Sequence, residues 1–238
     1  MISKKINKKK VICIICARGG SKGLKNKNIL KINNLPLLAY PILQAKASKY
    51  IGTVLVTTDS KKIASIAKKY GAVVPFLRPK HLAKDLSTTE DTLKHALLTY
   101  EKISNQKFDI AVYLSASDFF RKTEWIDKCI KKLFYNKKIE SVFSGHSTHK
   151  NFWELKNNKW VRLKKSMKVY SSRQKKKPII REDTGIACAS RAELWRNGRR
   201  IGDNVEIITN NETLTSIDIH NLQDFKLAKA AYNILKKR

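Results

Sequence analysis

The sequence predicts an α/β fold in which a mainly parallel sheet is flanked by helices on both faces. Three observations support this class. Short apolar runs alternate with amphipathic segments through the first half of the chain, which is the order that builds parallel sheets. The first run, residues 11–17, is apolar without interruption, as expected of a strand buried on both faces. Finally, 238 residues with 42% hydrophobic side chains suffice for one domain with a substantial core.

The predicted elements begin with a strand, a helix and a second strand. The strand is the apolar run at 11–17. Pro36 then opens an apolar segment with helical spacing that extends to Ala47. Residues 53–58 are rich in β-branched side chains and predict the second strand.

Two capped helices follow. Asp59 and Ser60 precede a segment whose apolar residues recur with the helical period, and Gly71 ends it. Residues 72–75 predict a short strand. Ser87 and Glu90 form the capping-box pattern S-x-x-E ahead of the next helix. The remaining elements of this half are a strand at 109–114 and a helix at 124–133.

The regular alternation breaks between residues 141 and 178. This stretch contains Trp153 and Trp160 with a polar turn between them, and short lysine runs. We therefore predict one domain, residues 1–238, with a dimerisation-type arm inserted at about 141–180. Such an arm is either a subunit interface or an ordinary hairpin face. Regular signals return at 184–189, at 205–209 and in a last helix.

The formal net charge is +31, from 50 Lys and Arg against 19 Asp and Glu. Such an excess is typical of proteins that bind nucleic acid, anionic membranes or acidic small molecules. However, only 11 of the basic residues are arginine, and the lysines are scattered along the whole chain. Nucleic-acid readers concentrate arginine and aromatic residues on one face. A general lysine bias explains the excess at least as well.

Cysteine usage and hydropathy indicate the compartment. Four cysteines are too few for a disulfide scaffold of this size. Cys13 and Cys16 lie three apart on a predicted strand, so their side chains point to opposite faces, and we interpret them as buried thiols. No apolar run approaches the roughly 18 residues of a membrane-spanning helix, and the start lacks a signal-peptide cleavage site. These observations predict a cytoplasmic protein.

The loop after the first predicted strand is the strongest functional signal. It reads Arg18-Gly-Gly-Ser-Lys-Gly-Leu-Lys-Asn-Lys-Asn28. Ligands bind at the carboxyl ends of strands in open parallel sheets. The glycines allow close approach of backbone N–H groups, and the basic side chains supply positive charge. The pattern is neither a Walker loop nor a dinucleotide fingerprint, and it predicts a polyphosphate cradle or, alternatively, a basic solvated loop.

Several motifs together resemble the CMP-sugar synthetases, especially the acylneuraminate cytidylyltransferases. The segment ARGGSKGLKNKN at 17–28 resembles the first motif of that family. Further matches are Thr57-Thr58-Asp59-Ser60, the run Arg78-Pro79-x-x-Leu82-Ala83-x-Asp85-x-Ser87-Thr88-Thr89, residues 114–121 and the closing Ile217-Asp218-Ile219-His220. The resemblance covers nearly the whole chain. It implies a Rossmann-like nucleotide-binding sheet of the nucleotide-diphospho-sugar transferase type and a homodimer formed through the inserted arm.

The resemblance also implies a reaction in which CTP and a 2-keto sugar acid give a CMP-sugar and pyrophosphate, with Mg²⁺ as cofactor. Catalysis would then consist of positioning and charge neutralisation. The residues that this assigns to catalysis are Arg18, Lys22, Lys27 and Asp218. Those assigned to nucleotide binding are Gly19, Gly20, Ser21, Asn28, Arg78 and Thr89. Those assigned to the sugar acid are Ser115 and Arg121.

One departure from the family concerns the metal. The family closes with Asp-Ile-Asp, whose carboxylates serve Mg²⁺, whereas this chain reads Asp218-Ile219-His220. Mg²⁺ prefers oxygen ligands, and imidazole suits softer metals. Asp218 is therefore the expected main ligand. His220 is a ligand to an ion such as Mn²⁺, a general base or merely the residue before a helix cap.

A second departure lies at the predicted strand end. The family sequence Gln-Pro-Thr-Ser-Pro-Leu-Arg aligns with residues 115–121, so that Ser115 replaces a glutamine assigned to the sugar acid. Asp118 is new at this position, and we hypothesise that it supplies a second carboxylate to the metal. These changes leave the acceptor open among sialic, legionaminic, pseudaminic and other nonulosonic acids.

Three alternatives compete with an N-acylneuraminate cytidylyltransferase. The first is a synthetase for the eight-carbon acid Kdo, although the Gly-Gly-Ser-Lys-Gly sequence favours the sialic type. The second is a basic nucleic-acid-binding protein, which lacks the usual aromatic, zinc or helix-turn-helix signatures. The third is an inactive CTP-binding homologue, suggested by His220. We expect no nucleic-acid or membrane partner and a role in surface polysaccharide biosynthesis. Whether the product decorates lipid, capsule or flagellar protein is left open by the sequence.

Overall fold

A computed structural model of the protein describes residues 5–84, 86–169, 172 and 174–236. Asp85, which belongs to one of the family motifs, and residues 170, 171 and 173 of the predicted arm lie outside the described residues. Among the residues described, no helix combines the length and apolar character needed to cross a bilayer.

The chain forms eleven strands and six α-helices across these described ranges. The strands are β1 Val11–Cys16, β2 Lys31–Ile32, β3 Leu35–Pro36, β4 Thr53–Thr57, β5 Ile110–Leu114, β6 Ser141–Thr148, β7 Trp153–Lys156, β8 Lys159–Arg162, β9 Ile179–Glu182, β10 Cys188–Arg191 and β11 Val205–Asn210. The helices are α1 Ala39–Ala47, α2 Lys61–Lys69, α3 Thr89–Ser104, α4 Thr123–Tyr135, α5 Ala192–Arg196 and α6 Leu222–Lys236.

The central sheet is mixed, and the parallel strands β5, β1 and β4 lie at one end of the strand order. Its order is β11-β6-β10-β5-β1-β4, and β9 pairs with β6. Strand β1 is parallel to both β4 and β5, whereas β10 is antiparallel to β5 and β6. The carboxyl ends of β1, β4 and β5 therefore meet at one edge. The predicted class, a largely parallel sheet flanked by helices, is confirmed.

Both faces of the sheet are covered, which explains the uninterrupted apolar sequence of β1. On one face Cys13 and Ile15 pack in a cluster with residues of α1, α2 and α4. On the other, Ile12 and Ile14 pack with residues of α3 and α5, and Cys16 lies against that cluster. Cys13 and Cys16 thus lie on opposite faces as predicted. Burial raises the pKa of Cys16 to about 11, so its thiol is protonated at neutral pH.

Three local boundaries differ from the predictions. Pro36 belongs to β3, and α1 begins at Ala39. The stretch at 72–75 forms only a bridge between Val73 and Leu55. The cap of α3 is Thr88 rather than Ser87, because its hydroxyl accepts from the Asp91 N–H and donates to the Asp91 carboxylate. The helix cap is therefore displaced by one residue.

The predicted arm begins later than expected. Residues 141–148 form β6, an interior strand of the sheet that pairs with both β10 and β11, so the start at residue 141 is wrong. Strands β7 and β8 form a separate hairpin outside this sheet. Asn157 and Asn158 turn the hairpin with φ of 47° and 60°, which asparagine adopts more easily than most residues. Strand β9 then returns the chain to β6.

Candidate active site

Two adjoining pockets open at the carboxyl edge shared by β1 and β5. Each has a volume of about 440 Å³. The first pocket lies between the loop after β1 and the start of α3, and the second lies between β9, the loop before β10 and residues 215–220. Four residues line both, namely Tyr113, Ser115, Ser117 and His220. The pockets therefore form one continuous cleft.

The loop at 18–28 is held against the closing segment of the chain. The Asn28 amide donates to the Arg18 carbonyl at 3.0 Å, and the Lys27 ammonium donates to the Ile219 carbonyl at 2.8 Å. A side chain at Gly23 would place its Cβ 2.5 Å from the His220 carbonyl oxygen. Glycine at 23 thus permits the close approach of two segments almost 200 residues apart in sequence.

The structure differs from the predicted role of Gly19. The Gly19 N–H donates to the Asp59 carboxylate at 2.8 Å, so it is committed to the protein rather than to a ligand. Neither Gly19 nor Gly20 lines the first pocket. Both lack the positive φ that would require glycine. Gly19 thus fixes the loop onto the end of β4, and the assignment of Gly20 to nucleotide binding stays a prediction.

The first pocket gathers most of the other predicted residues. Its lining includes Arg18, Ser21, Lys22, Lys27, Asn28, Arg78, Thr89 and Ser115. Burial lowers the pKa of Lys27, and the carboxylates of Asp218 and Asp118 partly offset that effect. The described part of the lining is rich in cations and includes no carboxylate. Such a pocket suits a polyanionic ligand.

Arg78 is the most unusual side chain of the first pocket. It is only 6% exposed, and its Nε and Nη2 atoms are buried without a hydrogen-bond partner. Its Nη1 makes one long contact of 3.4 Å to the Thr92 hydroxyl. Burial lowers the pKa of this guanidinium. Because buried donors without partners cost free energy, these atoms indicate that a ligand supplies the acceptors.

The start of α3 adds further polar groups to the first pocket. Thr88, Thr89 and Thr92 all line it. Thr88 caps the helix through the Asp91 N–H, and the first-turn N–H groups of a helix favour negative charge nearby. The predicted location of Thr89 at a helix start beside the ligand pocket agrees with this geometry.

The second pocket contains a pair of facing carboxylates. Asp118 and Asp218 are partners in an antiparallel backbone bridge, next to a hydrogen bond of 3.1 Å from the Ile219 N–H to the Ser117 carbonyl. Paired residues of such a bridge project side by side. Burial and the neighbouring Asp218 raise the pKa of Asp118 to about 6. A side chain on Gly185 would collide with the Asp118 carboxylate.

The Asp218 carboxylate has one satisfied and one unsatisfied oxygen. Its Oδ2 lies 2.7 Å from the His220 Nε2. Its Oδ1 is buried without a hydrogen-bond partner. The described residues contain no cluster of three or more His, Cys, Asp or Glu suited to a metal. Two carboxylates remain a suitable protein contribution for Mg²⁺, which keeps several waters and substrate phosphates in its coordination shell.

Ser115 and Arg121, both assigned to the sugar acid by sequence, have different positions. Ser115 lines both pockets and its hydroxyl lies 2.8 Å from that of Ser117. Arg121 is buried, and its guanidinium donates to the carbonyls of Ser115, Gly185 and Ile186 and to the Gln44 side chain. Burial lowers the pKa of Arg121 to about 10. Direct sugar binding by Arg121 is therefore corrected to positioning of the loops around the second pocket.

Sequence reasoning missed one wall of the second pocket. This wall comes from β9 and the loops beside it, and its polar residues include Arg181, Asp183, Thr184 and Arg200. These residues follow the predicted arm, and no motif marks them. Only the pairing of β9 with β6 and of β10 with β5 brings them to the carboxyl edge. Cys16, Tyr113 and Thr92 in the first pocket also carry no sequence signal of function.

A cationic pocket and an adjoining acidic pair at the carboxyl ends of parallel strands are typical of the class of α/β proteins that bind nucleoside polyphosphates. Within that class the chain belongs to the cytidylyltransferase family, whose model matches residues 12–229. A relative from Campylobacter coli, post-translational flagellin modification protein B, is 35% identical over 92% of this chain and 93% of its own length.

Other comparisons agree in family and fold. The CMP-N,N'-diacetyllegionaminic acid synthase of Campylobacter jejuni is 36% identical over 92% of this chain and 93% of its own length. The solved structure of CMP:2-keto-3-deoxy-manno-octonic acid synthetase complexed with CTP superposes with a TM-score of 0.70 at 13% identity, covering 94% of this chain and 98% of that one. The second comparison concerns the fold alone.

Proposed function

We propose that this cytidylyltransferase transfers CMP from CTP to the anomeric hydroxyl of a nonulosonic acid and releases pyrophosphate. The observation that carries the proposal is the buried guanidinium of Arg78, whose Nε and Nη2 lack partners, in a cationic pocket that opens directly onto a second, polar pocket. The first pocket suits the nucleotide and its phosphates, and the second suits a polar acceptor. Tyr113 and Ser115 line both, so the reacting atoms would meet there.

The acceptor class that we propose is the legionaminic type. Relatives matched over more than nine-tenths of this chain include a legionaminic acid synthase at 36% identity and a pseudaminic acid cytidylyltransferase of Campylobacter jejuni at 28%. The N-acylneuraminate cytidylyltransferase of Escherichia coli aligns over only 59% of the chain. The narrower expectation of N-acetylneuraminic acid thus has less support than a diacetamido nonulosonic acid.

Mg²⁺ is the proposed cofactor, with Asp118 and Asp218 as its protein ligands. The buried, unpartnered Oδ1 of Asp218 and the facing position of Asp118 fit an oxygen-preferring cation. His220 contacts the Asp218 Oδ2, which favours a role in orienting that carboxylate over metal ligation. When bound, the cation would neutralise charge on the triphosphate and the leaving pyrophosphate; Mn²⁺ would serve similarly.

The protein's own residues contribute chiefly by positioning. Arg18, Lys22 and Lys27 would hold the triphosphate, and Arg78 would bind acceptor atoms of the nucleotide. The acceptor hydroxyl attacks the α-phosphorus in line, the bond to the β-phosphate oxygen breaks, and pyrophosphate leaves with that electron pair while the hydroxyl proton passes to solvent. Holding both reactants in adjoining pockets removes most of the entropic barrier to this encounter.

The reaction is tested by supplying purified protein with CTP, Mg²⁺ and a panel of acids that contains legionaminic, pseudaminic, N-acetylneuraminic and Kdo-type acceptors. Pyrophosphate release and the CMP-sugar are measured. We expect release with a nonulosonic acid and none with CTP alone. Release with Kdo only would favour the eight-carbon alternative, and no release with any acceptor would contradict the transferase. Asp218→Asn is expected to fold and to lose turnover.

We also propose a homodimer that works in the cytoplasm, where CTP is available. The dimer is supported by the β7–β8 hairpin, whose Trp153, Leu155 and Trp160 are 46%, 55% and 67% exposed. Clustered exposed aromatic and aliphatic side chains are typical of interaction surfaces. No nucleic-acid partner is required by this function.

A further inference from the structure

We propose that Arg200 binds the carboxylate of the acceptor sugar acid and thereby selects 2-keto acids as substrates. This inference rests on the proposed transferase function and assigns one residue of its acceptor pocket. Arg200 lies in the loop after α5, outside every motif that the sequence displays. Among the residues that the structure describes, it lines the second pocket together with one other arginine, Arg181.

Arg181 is already committed to the protein. Its Nε and Nη2 donate to the two oxygens of the Asp183 carboxylate at 2.6 and 2.9 Å, and Nη2 also donates to the Thr215 carbonyl at 3.2 Å. Asp183 is itself buried. Breaking this bidentate pair to bind a ligand would leave a buried carboxylate without its partner, which is costly. We therefore assign Arg181 a structural role in the wall of the second pocket.

Arg200 has longer contacts with carboxylates than Arg181 has. Its nearest carboxylates are Glu90, 3.3 Å from Nε, and Glu182, 3.7 Å from Nη2. These are ion-pair contacts, and the buried Nε has no hydrogen-bond partner. The side chain is 21% exposed, so it is partly desolvated yet accessible. A guanidinium in this state keeps its charge and offers a planar pair of donors to an incoming carboxylate.

The backbone fixes where this guanidinium lies. The Arg200 carbonyl accepts hydrogen bonds from the Ser190 hydroxyl at 2.6 Å and from the Trp195 indole N–H at 3.0 Å. Both donors belong to buried residues of the core. The loop is thus anchored independently of the Arg200 side chain, which is the condition for a preorganised binding group. Replacement of that side chain leaves both anchors in place.

The chemistry of the acceptor places its carboxylate at this position. In a 2-keto sugar acid the carboxyl carbon is bonded to the anomeric carbon, so the carboxylate must lie next to the reacting hydroxyl. The Arg200 guanidinium lies 5.6 Å from the ring centre of Tyr113, which lines both pockets. The other charged side chains in the lining are Arg181 and the carboxylates of Asp118, Glu182, Asp183 and Asp218. Since the carboxylates would repel the acid and Arg181 is committed to Asp183, Arg200 is the group that would bind a carboxylate beside Tyr113.

The test compares a nonulosonic acid with its methyl ester as acceptors for the wild type and for Arg200→Gln. For the wild type we expect the ester to lower kcat/KM by about 10- to 100-fold, the range of a charged hydrogen-bonded contact. For Arg200→Gln we expect KM for the acid to rise by a similar factor. That variant should also lose most of the preference for the acid, with KM for CTP changed by less than about threefold.

Two further variants make the test specific. Arg199→Gln is the matched control, because Arg199 is an exposed neighbour paired with Asp203 and does not line the second pocket. It should keep the wild-type acid preference. Arg200→Lys retains the charge without the planar fork and should recover only part of the affinity. Melting temperatures of all variants confirm folding.

The failures of the two proposals are separable. A wild type that releases no pyrophosphate with any acid contradicts the transferase function itself. A wild type that is active while Arg200→Gln retains the full preference for acid over ester overturns only the assignment to Arg200. The same holds if Arg181→Gln, rather than Arg200→Gln, abolishes that preference.

Discussion

A buried guanidinium with two unsatisfied nitrogens gives the cleft its preference for anionic ligands. Arg78 is 6% exposed, and two of its guanidinium nitrogens are unsatisfied. Removing this charge from water costs free energy, and that cost is offset only when a ligand supplies hydrogen-bond acceptors. Binding energy is thus concentrated at a residue whose unsatisfied donors cost stability in the absence of a ligand, which is a common compromise between stability and function.

This argument predicts the behaviour of Arg78→Met, which removes the charge and retains a side chain of comparable length. We expect KM for CTP to rise by about 10- to 100-fold, because hydrogen bonds to a charged group are lost. The free energy of unfolding without ligand should be unchanged or higher, since an unsatisfied buried charge is removed. Urea denaturation and initial rates measure the two quantities. A loss of stability together with unchanged KM would show that Arg78 is structural.

Gly23 provides a second residue-level prediction. In Gly23→Ala the new Cβ would lie 2.5 Å from the His220 carbonyl oxygen, so the loop carrying Lys22 and Lys27 must move. We expect activity to fall by at least about tenfold and stability by about 1–3 kcal/mol, the usual cost of overpacking. Gly20→Ala is the comparison for stability, because no atom lies within 4 Å of its added Cβ. Equal melting temperatures for both variants would contradict the prediction.

Individual site residues could be predicted where a short stretch of sequence indicates their role. The cations of the loop at 18–28 lie among glycines, and Thr89 lies in a helix-capping pattern, so both could be identified from neighbouring residues alone. Arg121 was misassigned because sequence cannot distinguish an arginine that faces a ligand from one that donates to three backbone carbonyls. Sequence reasoning did not identify Arg200, because its position in the cleft depends on the pairing of strands that are distant from one another in sequence.

At the scale of elements, one carboxylate joins α3, α5 and the start of β5. Glu101 of α3 is almost fully buried, with a side chain 2% exposed. It accepts hydrogen bonds from the Arg196 guanidinium at 2.6 Å and from the Phe108 N–H at 3.0 Å. Burial alone would raise the pKa of Glu101, but hydrogen bonds from Arg196, the Phe108 N–H and Lys107 outweigh it and the pKa is lowered.

A lowered carboxylate pKa means that this contribution to stability is present above the unfolded-state value of about 4.3 and is lost as pH falls below it. Glu101→Gln should therefore reduce the free energy of unfolding by about 2–4 kcal/mol at pH 7 and by less at pH 4. Urea denaturation at the two pH values measures the difference. Glu193→Gln, which alters the exposed partner of Arg196, is the control, and an equal effect of both changes would contradict the argument.

The element pattern was largely predictable, and the strand order was not. The helices and strands of the first half could be predicted from the spacing of their apolar residues. Each helix buries one face, and each strand buries one face or two. The insertion of antiparallel β10 between β5 and β6 arises from pairing across many residues and leaves no local pattern. For the same reason the interior strand β6 was assigned to the arm, since its sequence SVFSGHST resembles a half-buried hairpin strand.

At the scale of the whole molecule, the charge of +31 has two components. One is the cation-rich lining of the first pocket, which attracts anionic substrates. The other is the large number of lysines elsewhere, which neither pocket uses. A nucleic-acid function would need those lysines and aromatic groups combined in one reading surface, and the cytidylyltransferase chemistry does not need them.

The hairpin leads to the prediction for assembly. Trp153, Leu155, Trp160 and Arg162 lie on one face of β7 and β8, because Trp153 pairs with Arg162 and Leu155 with Trp160. Arg162 lies over the Trp153 ring at 4.1 Å, and the Leu155–Trp160 pair remains exposed. An apolar face on a two-stranded hairpin is marginally stable by itself. A second copy of the chain would cover this face.

We therefore expect the wild type to sediment as a dimer and Leu155→Glu/Trp160→Glu to sediment as a monomer. Two carboxylates from each copy, four in all, would be buried without partners in the interface, at a cost that exceeds typical dimer affinities in the micromolar range. Val161→Glu places a carboxylate on the opposite face of the same hairpin and should leave the dimer intact. Sedimentation velocity at several concentrations measures all three. A monomeric wild type, or dimers of both variants, would show that this face is not the interface.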